Sequence, residues 1–138
     1  MGNDPIDFTD PFGLRALTDC EKQKLGPYIP KIDLDNADLH DGEVPRYLPK
    51  KFYGVTRSNN IYFRPGAYDS STINGLARLG HELVHVGQYR NGMNWAKYFW
   101  TNRYGYDKNS FYEKPVYAKE YEIQNDMTKE KYSGCPKQ

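Results

Sequence analysis

Histidine, cysteine and long apolar runs are scarce in this 138-residue chain, with three His and two Cys in all. No stretch approaches the ~18 apolar residues that a membrane-spanning helix needs. The N-terminus lacks the basic stretch and apolar h-region of a signal peptide, so export would need another carrier. Cys20 and Cys135 stand near opposite ends without a clustered partner, which disfavours a cysteine-based zinc site. They are read either as one disulfide tying the termini together or as two free thiols in a reducing compartment. A surplus of one charge is also missing: 19 basic against 18 acidic side chains leave +1. That balance gives no general pull toward nucleic acid or an anionic membrane, and neither is expected as a partner. The apolar fraction of 38% lies below the usual range of roughly 45–50%, so the core is expected to be modest and partly aromatic, drawing on thirteen Tyr. The length suits a single domain.

What is present changes texture along the chain. Residues 1–14, with the run GNDPIDFTDPFGL, are dense in Asp, Pro and Gly and read as a leader; residues 15–138 are assigned to the domain. Thr18 followed by Glu21 predicts a capping box opening a short helix that ends at Gly26-Pro27. The proline-bearing stretch from Tyr28 to Pro49 is expected to be irregular. Val55-Thr56-Arg57 and Ile61-Tyr62-Phe63, separated by Ser58-Asn59-Asn60, predict a β-hairpin. The edge of its second strand is a candidate for binding an extended peptide by strand addition. From about Thr72 to Arg90 the spacing predicts a helix, with Asp69, Ser70 or Ser71 near its N-cap and Asn91-Gly92 as its stop. Its apolar stripe comprises Ile73, Leu76, Ala77, Gly80, Val84 and Gly87, where the two glycines permit close approach of another element. Further helices are expected over about 94–102 and 111–127. The fold class is therefore α+β, with a short hairpin or sheet packed on these helices.

The chemistry sits in His81-Glu82-Leu83-Val84-His85. Histidines four apart on a helix stand one turn above each other and can present ring nitrogens to one ion. Glu82 lies about 100° round from His81, beside the ion's open position, where it can act as general base. Such a centre activates water at neutral pH for attack on a polarised carbonyl, which makes Zn2+ the expected cofactor and hydrolysis the expected reaction. A third ligand is still required. Glu113 is the candidate, although Ser110 and Glu113 also read as a capping box. Glu120 and Glu122 are the fallback ligands, and His40, in a turn-like Leu39-His40-Asp41-Gly42, reads as solvent-exposed. Tyr117 and Tyr121 are candidates for stabilising the transition state, against ordinary core packing.

With these elements placed, the run IYFRPGAYDSSTINGLARLGHELVHVGQYR resembles the core of the zincin-like metallopeptidase domains of polymorphic bacterial toxins and of extracellular contractile injection system proteins. Those domains join a strand to a helix bearing HExxH followed by a Gln. In the gluzincin group the third ligand is a Glu from a later helix, often in a run such as NPYExxAY. The run from Asn109 to Tyr117 is similar, with Ser110-Phe111 at the Pro position and Val116 at the Ala position, and it maps Glu113 onto the ligand. The resemblance spans roughly residues 54–123 and implies a zinc metallopeptidase acting on a protein or peptide. Asp10-Pro11-Phe12-Gly13-Leu14 in turn is similar to the DPxGL junction that ends the core of Rhs-repeat proteins. That resemblance implies a C-terminal toxin delivered by a secretion system, with the Rhs core and its secretion apparatus and a cognate immunity protein as partners. The alternative expectation is a metal-stabilised module of a secretion or injection system that cleaves nothing.

Overall fold

Local chain chemistry fixes the first elements. In the computed structural model, which describes residues 14–94, 112–130 and 134–136, helix α1 (Asp19–Leu25) opens on the expected capping box. The Thr18 hydroxyl accepts from the Glu21 amide at 3.1 Å, and the Glu21 carboxylate accepts from the Thr18 amide at 2.8 Å. The same carboxylate is fully buried and takes both Arg15 guanidinium nitrogens, at 2.8 and 3.0 Å, and the Tyr68 hydroxyl. One side chain thus caps a helix and neutralises a half-buried cation. Arg15 belongs to strand β1 (Leu14–Ala16); the rest of the Asp10–Leu14 run lies outside the described residues.

The stretch expected to be irregular is partly ordered. It contains helix α2 (Lys31–Asn36) and strand β2 (Asp38–Asp41). Only Leu39 of β2 is buried, so the strand lacks the alternation that betrays a half-buried sheet. It is a strand because its backbone is paired on both sides. The hairpin forms as expected from β3 (Gly54–Arg57) and β4 (Asn60–Phe63), and Ser58 adopts φ 58° in its turn. The sheet order is β1-β2-β4-β3, with β2 and β4 parallel and both outer pairs antiparallel. This corrects the expected free edge: β4 is an inner strand, its Ile61 and Phe63 fully buried, and β3 is the edge beside the long helix. His40 is corrected too. It lies half-buried on β2, stacked on Tyr62 and bonded to Asn60 at 3.0 Å, instead of in an exposed turn.

Register places Arg15, Leu39, Ile61 and Thr56 opposite one another in one row. Residues paired in this way share a face of the sheet, and against that face lies α3 (Ile73–Arg90). Its N-cap is Thr72, whose hydroxyl accepts from the Gly75 amide at 2.9 Å, and not the residues before it; Asn91 ends it. Leu76, Ala77, Leu79, Leu83 and Val86 are buried, a broader face than the expected stripe, with Val84 only partly covered. The helix is wrapped on several sides. Helix α4 (Glu113–Lys129) runs antiparallel to it, as Glu113 meets His85, Glu120 meets His81 and Gln124 meets Asn74. The two small residues do what their spacing suggested. A Cβ on Gly80 would fall 2.3 Å from Ile123 of α4, and one on Gly87 would fall 3.1 Å from the Asp33 carboxylate of α2, itself paired with Arg90 at 2.7 Å. Cys20 and Cys135 form a disulfide. The Cys135 amide also donates to the Ser70 carbonyl at 2.7 Å, docking the last described segment beside the start of α3. The helix expected over 94–102 lies outside the described residues from 95 onward. Among the described residues no helix is long and apolar enough to cross a membrane, and the architecture is α+β, as expected.

Candidate metal centre

Helical spacing brings His81 and His85 to the same side of α3, and α4 supplies the third group at its first residue. Because Tyr112 is the N-cap and makes no side-chain capping bond, Glu113 is not the third residue of a capping box. Its carboxylate is instead fully buried between the two imidazoles, 3.3 Å from His85 Nε2 and 3.7 Å from His81 Nε2. One ligand atom from each of the three residues lies within 4.8 Å of the others, and together they can hold a metal ion. A tetrahedral ion with ligands at 2.0–2.1 Å would set them about 3.3 Å apart, so the donor set fits. Burial disfavours charge on His85, but the hydrogen bond and charge of Glu113 outweigh it and raise the imidazole above its ordinary 6.5. The pocket thus favours a cation.

A second ring of groups orients these three. Glu120 accepts from His81 Nδ1 at 2.6 Å, which turns Nε2 toward Glu113. The Gln88 carbonyl stands 2.8 Å from His85 Nδ1, and its amide donates to the Tyr112 carbonyl at 2.8 Å, tying the second imidazole to the residue before Glu113. Such partners fix the tautomer and ring angle of a metal-binding His. Glu120, a fallback ligand on sequence grounds, is therefore a positioning residue. Its place was legible: Glu113, Tyr117 and Glu120 follow the i, i+4, i+7 spacing of one helix face. Glu122 is turned away and pairs with Lys119 at 2.9 Å.

Glu82 sits 3% exposed beside the cluster, with one carboxylate oxygen 4.0 Å from His81 Nε2. Its other oxygen accepts from the Thr56 hydroxyl at 2.7 Å. The sequence marks Thr56 only as a strand residue, since nothing local identifies a threonine on β3 as the partner of a carboxylate on α3. The Tyr117 ring meets His81 edge-on at 4.9 Å between centroids, and burial followed by the charge of Glu113 raises its phenol. Tyr121 is 59% exposed and makes no described contact with the cluster, so it drops out as a candidate. Tyr53, not singled out from sequence, reaches the site from the residue preceding β3. Burial, reinforced by the charge of Glu82, holds its phenol well above the ordinary range and keeps it protonated.

A small α+β domain with a buried His-His-Glu cluster that can hold a metal is the class these features define. Residues 28–93 match the family model of the eCIS core domain, that of extracellular contractile injection systems. The match takes in α2, the inner strands and all of α3, and so includes His81, Glu82, His85 and Gln88, but it ends before Glu113. No curated protein and no solved structure matches the chain.

Proposed function

We propose that this chain serves a contractile injection system as a zinc-binding domain whose centre is of the hydrolytic kind, with a peptide bond as the substrate. The family match supports the injection-system association, and with it delivery by that apparatus. The observation that carries the hydrolytic reading is the pairing of a three-residue cluster with a tethered Glu82. Structural zinc sites are closed by four protein ligands, whereas catalytic ones use three and keep a position open. Zinc held by His81, His85 and Glu113 would supply Lewis acidity and water of lowered pKa. Thr56 immobilises one oxygen of Glu82 and leaves the other on the His81 side, where a carboxylate can accept a proton from water and return it to a leaving amine. Glu120 and Gln88 keep both imidazole Nε2 atoms aimed inward throughout.

Replacing Glu82 with Gln tests this. The variant is expected to keep one zinc per chain and its melting temperature while losing about 10²–10⁴-fold in cleavage of a quenched fluorescent peptide library. Unchanged cleavage by E82Q would sink the mechanism. The second reading, a metal-stabilised assembly module that cleaves nothing, draws more on the family match, which points to the injection system and carries no hydrolytic assignment. It is also favoured by how little of the cluster meets solvent, with His81 and His85 5% and 6% exposed. A fully zinc-loaded wild type that cleaves no member of the library would establish that reading instead.

A further inference from the structure

We infer that the Tyr53 hydroxyl is the donor this centre presents to the negative charge that develops on a substrate's carbonyl oxygen, an assignment that rests on the hydrolytic reading above. Three contacts clamp the ring. It meets His81 edge-on at 6.0 Å between centroids, stacks on Phe63 at 5.9 Å and lies under the Arg78 guanidinium at 4.7 Å. The hydroxyl at its tip is buried, yet among the described residues it has no hydrogen-bond partner. Leaving a buried hydroxyl unpaired is unfavourable, a cost that a phenylalanine of the same shape would avoid. A fixed donor with unspent capacity, on a ring that packs against His81, is what an oxyanion requires, since it needs no reorganisation when charge appears. Neither tyrosine on α4 that the sequence singled out offers this: Tyr121 is exposed, and the Tyr117 hydroxyl is not both buried and unpaired. Tyr53 immediately precedes the edge strand that carries Thr56, the residue that holds Glu82, so one segment would position both the base and the donor.

The test uses the cobalt-substituted protein, whose visible spectrum reports ligands reaching the metal. It is titrated with inorganic phosphate as a tetrahedral oxyanion and with cyanide as a ligand that needs only the metal. Tyr53→Phe is expected to take up one cobalt per chain, melt at the wild-type temperature or above, and bind cyanide unchanged while binding phosphate about tenfold more weakly. Tyr121→Phe should match wild type throughout. Equal phosphate affinity in wild type and Y53F, or no phosphate binding by wild type, overturns the assignment and leaves the metal site standing. A lowered melting temperature in Y53F also overturns it, because the hydroxyl would then be a structural bond. Failure of the wild type to take up cobalt defeats the metal reading itself, and this inference with it.

Discussion

Glu120→Gln probes whether the second ring of groups governs the metal. In the wild type the Glu120 carboxylate accepts from His81 Nδ1 at 2.6 Å, and the imidazole is almost fully buried. Glutamine is close to isosteric but neutral, and its amide can turn a donor toward Nδ1. The charge-assisted bond is lost, and His81 is no longer held with its Nε2 inward. Hydrogen bonds to charged groups contribute about 1.5–3 kcal/mol, and such partners of metal-binding His commonly account for 10–100-fold in affinity. At 1.4 kcal/mol per factor of ten the two figures agree, so zinc affinity is expected to fall by about 10–100-fold. Competition against a chromophoric chelator at fixed pH measures it. Glu122→Gln is the matched control, since Glu122 pairs with Lys119 on the outer face. If E120Q binds zinc as E122Q does, the positioning argument is wrong. A loss well beyond a thousandfold would also refute it, because Glu120 would then be a ligand.

The disulfide and the buried carboxylate make two further predictions. The Cys20–Cys135 bridge spans 115 residues, for which the chain-entropy relation gives about 4.8 kcal/mol. Cys20→Ser with Cys135→Ser should therefore lower the melting temperature by about 16 °C for a chain of this length without loss of metal, and an unchanged melt by calorimetry would contradict that. Glu21→Gln should cost about 3 kcal/mol in urea unfolding at neutral pH, the lower end of the range for breaking a buried pair, because Arg15 is 23% exposed and can regain some water. Burial opposes ionisation of Glu21, but Arg15, then Tyr68, hold its carboxyl below the ordinary 4.5. The sign follows from the depressed folded value. The stabilisation is whole above about pH 4.5 and drains as pH falls toward and through the folded value, so the gap between wild type and variant should narrow in acid; a gap independent of pH would refute the assignment.

What the sequence by itself determined is local. The capping box at Thr18 and Glu21, the hairpin around Ser58, and the helix carrying His81, Glu82 and His85 follow from contacts between residues no more than about four apart, which spacing encodes directly. Gly80 and Gly87 announced close approach in the same way. Glu113 is marked by its place at the start of a later helix, but it also reads as a helix cap, and resemblance carries most of the preference for ligand over cap. Tertiary structure decided the rest. It made a strand of the polar Asp38–Asp41 segment and put β4 inside the sheet. It chose Glu120 over Glu122 as the partner of His81, drew Thr56 and Tyr53 to the cluster, and closed Cys20 on Cys135. Each of these depends on which remote segment lies alongside, and a side chain's own neighbours in the chain carry no record of that. The zinc-type spacing was written in one helix; the pocket around it exists only once α3, α4 and the β3 edge are packed together.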